Sequence, residues 1–352
     1  MKRTFLQLAQ QYVPGPKAED VRLWYCSEKL DGIRCWWDGG VTRGVPVRLV
    51  PWANTANDHP NHANLISTGL WSRYAKTIQA PSTFVNKFPN IPLDGELYAG
   101  RGGMQFVSSV VKDKEPGPGW DQIKFMCFAA PLYKDILFDG PIEFRIGNKK
   151  TKINLRNCLE WIAGRGVTPV MQSVQFGRRY EFLRCQSFWN ETCQLVFQEP
   201  IPARGGMDFL HSAMKATVDG GGEGLMLTHP QTYYTPGRVW MQLKYKLKQD
   251  AEGTVVGYKW GKETADGSRH LGRMGSLRVN YKGRIFDVSG FTDAEREMNQ
   301  SNTANPGEVV EEGFFNPSFP LGSMITFEYR ELTDDGVPKE AHYLRKYETV
   351  ES

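Results

Sequence analysis

Glu28-Lys29-Leu30-Asp31-Gly32-Ile33-Arg34 sets an amine beside a carboxylate, a turn-forming glycine and a cation. A lysine so placed can carry a nucleotide covalently, its Nζ attacking an α-phosphorus and holding the nucleotide as a phosphoramidate. Gly32 permits a tight turn, and the Arg34 guanidinium can take ribose or phosphate. To attack, the amine must be neutral. A free lysine has a pKa of about 10.4, so this chemistry calls for positive charge close by to favour the neutral form.

Three further clusters supply what such chemistry needs. In Pro92-Leu93-Asp94-Gly95-Glu96-Leu97-Tyr98 a strand puts Asp94 and Glu96 on one face, where two acids can bind a metal or a ribose hydroxyl. Gly220-Gly221-Gly222-Glu223-Gly224-Leu225-Met226-Leu227 delivers a carboxylate at the mouth of an apolar strand, after glycines that permit close backbone approach. Gln242-Leu243-Lys244-Tyr245-Lys246 puts two ammonium groups on one strand face. Singly, these are a strand edge, a flexible turn and two solvent-facing lysines. Together they form a phosphoryl-transfer set: carboxylates for Mg²⁺, cations for a triphosphate and one lysine to attack.

The elements that position these residues are legible as short segments. Leu23–Cys26, Leu93–Tyr98, Ile123–Phe128, Gly224–Thr228 and Val239–Tyr245 read as strands. Helical spacing follows Asn154 up to Gly164, and follows Asp208 up to Gly220. The N-terminal part is therefore α+β. After about Gln249, short strands at Thr254–Tyr258, Leu277–Tyr281, Arg284–Val288 and Met324–Glu331, with a hairpin turn at Lys282-Gly283, fit a small β-barrel. Asn299 to Gly313 reads as a long loop within it. Two domains are expected, 1–248 and 249–352.

The net charge of +4 hides an uneven distribution. Residues 1–246 hold 30 Lys+Arg against 21 Asp+Glu, and residues 247–352 hold 13 against 18. Even so, Val255 to Ile285 carries seven basic residues against Glu263 and Asp266, so a polyanion can bind there. The six cysteines contain no C-x-x-C pair, which argues against a zinc ribbon or a small disulfide framework and for reduced, mostly buried thiols. No run of about 18 apolar residues occurs, and the start lacks a secretory pattern, so a cytoplasmic protein is expected. Asp58, His59 and His62 read as a polar surface loop rather than a metal site. Trp36 and Trp37, adjacent on a strand, are expected to divide between core and surface.

In order, Lys29-Leu30-Asp31-Gly32-Ile33-Arg34, Thr42-Arg43-Gly44, Leu93-Asp94-Gly95-Glu96, Glu223-Gly224-Leu225-Met226-Leu227 and Leu243-Lys244-Tyr245-Lys246 resemble the nucleotide-binding motifs of ATP-dependent DNA ligases, in the lysine-adenylating nucleotidyltransferase superfamily. Ser27 to Gly32 with Trp36-Trp37-Asp38-Gly39, and Asp250-Ala251-Glu252-Gly253, resemble the minimal two-domain ligases of bacteria and phages. The resemblance implies an adenylation domain with antiparallel sheets and packed helices, followed by an OB-fold β-barrel. It implies Lys29 as the AMP-accepting nucleophile, with Lys244 and Lys246 on the α-phosphate and Arg34 and Glu96 on the ribose. Glu28 belongs to the nucleotide site, Glu223 and Glu96 would hold Mg²⁺, and Arg43 would meet ribose or the nick phosphate. Phe128 stands where the family stacks an aromatic on adenine, although Ala129 replaces a common Asp; its other reading is a core phenylalanine. Ser27 replaces a common Glu, and Leu344-Arg345-Lys346-Tyr347 lacks the Arg-x-Asp-Lys ending of larger ligases.

The expected partner is nicked duplex DNA, bound by a monomer acting in replication, repair or recombination. Arg43, Arg101, Lys259, Lys262, Arg269 and Arg273 are the candidate DNA contacts, the last four around a loop between the first barrel strands; Arg178, Arg179, Lys149, Lys150 and Lys152 are weaker ones. Two alternatives share much of this pattern: an RNA ligase or mRNA guanylyltransferase, and a noncatalytic nucleic-acid-binding protein built on an inactive nucleotidyl domain.

Overall fold

The structure is a computed structural model and describes residues 6–54, 64–113, 115–137, 140–146, 149–170, 172–246, 249–262, 270–330, 332–333 and 335–347. Asp58, His59 and His62 lie outside the described residues, as does Arg269. The chain forms two compact units, Lys2–Lys246 and Leu247–Ser352.

In the first unit the strands are β1 (Gln7–Gln11), β2 (Tyr25–Glu28), β3 (Ile33–Asp38), β4 (Leu70–Ser72), β5 (Pro92–Tyr98), β6 (Lys124–Ala129), β7 (Gly140–Ile146), β8 (Lys149–Ile153), β9 (Cys193–Leu195), β10 (Glu199–Pro200), β11 (Leu225–Thr228) and β12 (Gly237–Tyr245). One sheet runs β1-β12-β11-β2-β10, a second β4-β3-β5-β6-β9, and β7 pairs with β8. The connection from β2 to β3 is only Lys29 to Gly32, so the chain leaves one sheet and enters the other across the motif that carries the amine. Gly32 is required there, because a Cβ would lie 2.2 Å from the Leu97 carbonyl oxygen.

The second sheet is covered on both faces. Trp36 packs with Trp52, Trp71, Val47 and Ile162, whereas Trp37 packs on the opposite side with Phe88, Leu93 and Phe125. Both indoles are buried, which corrects the expected division between core and surface. Alternation still holds, but at Trp36 and Trp37 both faces of β3 are covered by a core and neither meets water. The stretch from Val45 to Pro92 supplies much of this covering, through Val45, Val47, Val50 and Trp52 on one side and Phe84 and Phe88 on the other.

Helix Leu155–Ala163 begins at Asn154, whose side-chain oxygen accepts from the Asn157 amide at 3.0 Å. Helix Gly206–Asp219 begins two residues before Asp208, because Gly205, at φ 68°, turns the chain into it. Helices Met104–Lys112 and Phe176–Arg184 follow Gly103 and Gln175, which make no side-chain cap, and so carry no start signal in the sequence.

In the second unit β13 (Gln249–Trp260), β14 (Met274–Tyr281), β15 (Arg284–Val288), β16 (Met324–Tyr329) and β17 (His342–Lys346) form one sheet in the order β15-β14-β13-β16-β17. A parallel bridge between Ser289 and His342 joins its outer strands, as barrel closure requires. Lys282 and Gly283, at φ 51° and 81°, make the hairpin turn between β14 and β15. The interior holds Val255, Leu277, Val279, Ile325 and Phe327. This is the OB architecture that the sequence implies. Among the described residues no helix is long and apolar enough to cross a membrane.

Trp37 donates to the Pro89 carbonyl at 2.7 Å and fills a closely packed site. Trp37→Ala is expected to destabilise the first unit by about 3–5 kcal/mol, read from the urea midpoint of its tryptophan fluorescence.

Candidate active site

Beyond the last paired residues of β2 and β11, Glu28 and Leu225, the two strands diverge by one residue each way, to Lys29 and Gly224. The Lys29 amide donates to the Gly224 carbonyl at 2.8 Å, which fixes the backbone on both sides. Glu223 precedes this point, and Lys246 follows the end of β12, the other neighbour of β11. Three residues distant in sequence therefore meet where three strands end. Gly224, at φ 145°, passes so close to β12 that a Cβ would sit 2.3 Å from the Tyr245 carbonyl oxygen.

The Glu223 carboxylate, only 3% exposed, is ion-paired through Oε2 with Lys29 Nζ and through Oε1 with Lys246 Nζ. Burial opposes its negative charge, but the two ammonium groups outweigh that and hold its pKa below the usual carboxylate value. Lys244 lies on β12 opposite Met226 and Gln11, one strand step from Lys246 and on the same side. The expected set of Lys29, Glu223, Lys244 and Lys246 thus converges from β2, β11 and β12.

Across the β2–β3 connection the second sheet presents Arg34, Asp94, Glu96 and Phe128. Arg34 pairs in register with Glu96 on β5, so both share a face. Arg34 forms a fork with Asp94, Nε to Oδ1 at 2.7 Å and Nη2 to Oδ2 at 2.6 Å, and also donates to the Gln7 carbonyl at 3.2 Å. Burial opposes the guanidinium charge, but Asp94 raises the Arg34 pKa and keeps it ionised. Asp94 is wholly buried and also accepts from the Tyr234 hydroxyl at 2.6 Å. It is therefore committed to holding Arg34, so of the two acids expected on one strand face Asp94 is engaged within the protein. Tyr234 and Gln7 belong to this cluster, and no motif pointed to either.

Glu96 lies close to Arg34, Lys29 and Glu223. Burial, only partly offset by Arg34 and Lys29, raises its pKa to about 7. Among the described residues no three His, Cys, Asp or Glu side chains gather into a metal cage. Glu96 and Glu223 nevertheless suit Mg²⁺, which usually takes one or two carboxylates and completes its shell with phosphate oxygens and water.

Phe128 reaches the site through a bulge. On β6, Cys127 pairs with Gly95 and Ala129 with Asp94, so Phe128 is the surplus residue. Its ring is half-buried, with the Arg34 guanidinium 4.4 Å from its centroid, and it is not part of the apolar core.

The remaining candidates lie elsewhere. Glu28 is held by Arg101, with Nε and Nη2 each 2.9 Å from a carboxylate oxygen. Arg43 sits beyond the far end of β3, exposed, and donates to Asn86 Oδ1 at 2.5 Å. In the second unit, Lys259 ends β13 and pairs with Asp287 at 3.1 Å, Lys262 is exposed in the following loop, and Arg273 pairs with Glu297 at 3.2 Å. Arg179 is buried against Asp135 at 2.7 Å, which removes it from the candidate phosphate contacts. The side chains of Lys149, Lys150 and Lys152 lie outside the described ones.

Folding raises the pKa of Glu96, so the folded state binds more protons than the unfolded state between about pH 4.5 and 7. The Glu96 contribution is complete at the acidic end and lost as pH rises through 7. Glu96→Gln is expected to show a smaller fall in Tm from pH 5 to 7.5 than the parent, measured by calorimetry.

The geometry agrees with what comparison finds. Residues 267–346 match a family model described as a DNA ligase OB-like domain. A DNA ligase of Haemophilus influenzae is 24% identical over 324 residues, spanning 92% of this chain and 86% of that protein. A solved structure from a structure-function study of Lig E DNA ligases, which describes DNA binding with a minimal scaffold, is 27% identical with a TM-score of 0.64 and covers 97% of this chain and 98% of its own. A further structure, Pmar-Lig_Pre, is 17% identical with a TM-score of 0.60, over 97% of this chain and 67% of its own, and shares the fold. Over nearly its whole length the chain is similar to DNA ligases, including one of the minimal Lig E kind, and its residues 267–346 match the DNA ligase OB-like domain.

Proposed function

We propose that this enzyme seals a 3′-hydroxyl to a 5′-phosphate at a nick in duplex DNA, through a lysyl-AMP intermediate on Lys29. The observation that carries this reading is the convergence of Lys29 and Lys246 on one buried carboxylate, Glu223. Lys29 Nζ lets go of Glu223, gives up its protons to water and bonds to the α-phosphorus of ATP as the bond to pyrophosphate breaks. Lys246 and Lys244 stay against the α-phosphate and balance its charge. Arg34, aimed by Asp94, and Glu96 take the ribose, and Phe128 offers its ring to adenine. The 5′-phosphate oxygen of the nick then attacks the α-phosphorus, displaces Nζ and takes the AMP; finally the 3′-hydroxyl, giving up its proton, attacks the phosphorus of that 5′-phosphate, so that the phosphodiester forms as the bond to AMP breaks.

Glu96 and Glu223 would hold Mg²⁺, which supplies charge neutralisation on the phosphates. Residues 1–248 carry the chemistry and residues 249–352 grip the duplex. Lys259, Lys262 and Arg273 from the second unit and Arg43 from the first offer phosphate contacts of the salt-sensitive kind. Arg269, outside the described residues, is a further candidate phosphate contact on its charge alone. Six cysteines, none of them in a disulfide, suit a reducing cytoplasm, and the enzyme is read as a monomer acting in replication, repair or recombination.

Incubated with ATP and Mg²⁺, the protein is expected to gain the mass of one AMP, and Lys29→Ala none. Equal labelling of the two would remove Lys29 as nucleophile. The adenylylated protein is expected to seal nicked DNA faster than nicked RNA; the reverse order would favour the RNA ligase reading.

A further inference from the structure

Arg101 makes three hydrogen bonds that join three elements at the nucleophile. Two form the fork to Glu28, the last residue of β2, and the third runs from Nη1 to the Gly220 carbonyl at 2.7 Å. Gly220 closes the helix Gly206–Asp219, where the last carbonyls lack intrahelical partners, so the guanidinium satisfies an otherwise unpaired acceptor. Arg101 itself comes from the turn that follows β5.

The glycine run is shaped around this pair. A Cβ at Gly220 would lie 2.1 Å from Arg101 Nη1, and one at Gly222 would lie 2.6 Å from Thr217 Cγ2 and 2.9 Å from Glu28 Oε1. Gly220 has φ −85° and ψ 6°, a conformation open to most residues, so its own backbone does not call for glycine. The close approach of the Arg101 guanidinium does. That run leads directly to Glu223, and Glu28 leads directly to Lys29, so the pair straddles the ends of β2 and β11 where amine and carboxylate meet.

We infer that Arg101 and Glu28 form a clamp that aims Lys29 at the nucleotide, by fixing the strand end that carries the amine to the glycine run that carries Glu223. Arg101 is a positioning residue: it touches Glu28 and Gly220, and acts on the reaction through them. This rests on Lys29 being the AMP acceptor. Glu28 on this account orients the nucleophile instead of binding the nucleotide, and Arg101 is spent inside the first unit instead of on DNA phosphate.

Single-turnover formation of the AMP adduct, followed by intact mass with ATP and Mg²⁺, is expected to slow about tenfold in Arg101→Ala, Glu28→Gln and Gly220→Ala. Arg101→Lys keeps the charge but lacks the fork, and is expected to be as slow as Arg101→Ala. Sealing of a nick whose 5′-phosphate already carries AMP does not use Nζ as nucleophile, and it is expected to stay within about threefold of the parent in all four. Binding of nicked duplex, and its salt dependence, are expected to be unchanged. The clamp is overturned if Glu28→Gln and Gly220→Ala form adduct at the parent rate, above all if Arg101→Ala instead weakens nick binding and flattens its salt dependence. Should Arg101→Ala not fold, Gly220→Ala, which removes no charge, decides the matter. If the unmodified protein itself takes up no AMP, it is the ligase reading that fails; if it does and the variants match it, only the clamp fails.

Discussion

One buried carboxylate shared by two ammonium groups sets the terms for the rest of the first unit. Lys29 and Lys246 offset the cost of burying the Glu223 carboxylate, and the fixed carboxylate in turn holds both lysines. Such an arrangement has to be enforced by backbone. Adjacent antiparallel strands bring β2 and β11 together, and the close pass of Gly224 under Tyr245 brings β12 into the same corner. Charges that repel or attract this strongly would otherwise find easier positions in water.

The second sheet solves a different problem, that of holding a long cation still. Arg34 leaves β3 on the same face as Trp36, and its guanidinium is fixed by the Asp94 fork, the Gln7 carbonyl and the Phe128 ring. Asp94 is in turn fixed by Tyr234, from a segment 140 residues away. The loss of side-chain freedom that binding would exact from a loose arginine is thus met during folding. The tryptophan-lined cores on either side of β3 keep that platform from shifting.

Much of this site is written in local spacing. The period of two along a strand placed Lys244 with Lys246 and Asp94 with Glu96, and glycines beside charged residues marked close approaches that the fold contains. The hairpin at Lys282-Gly283 and the helix capped by Asn154 were equally plain, because turn and cap chemistry is local. What spacing could not express is which of two acids on one face would be consumed by a neighbour. Asp94 and Glu96 look alike along the chain, and only the arrival of Arg34 and Tyr234 marks Asp94 as the carboxylate engaged within the protein. Trp36 and Trp37 were misjudged for a related reason: alternation assigns faces, and tertiary packing decides whether a face is wet. Helices that begin at Gly103 or Gln175 carry no cap to announce them.

The bulge on β6 has an implication for how this fold tolerates change. Phe128 faces the site because the strand holds one residue more than its partner across Asp94 and Gly95. Strand length is therefore a determinant in its own right. A deletion of one residue between Cys127 and Ala129 would leave an evenly paired ladder with no position for an outward aromatic, even if a phenylalanine were retained nearby. Drift in this lineage can then exchange the ring for another aromatic more easily than it can alter the count of residues around it.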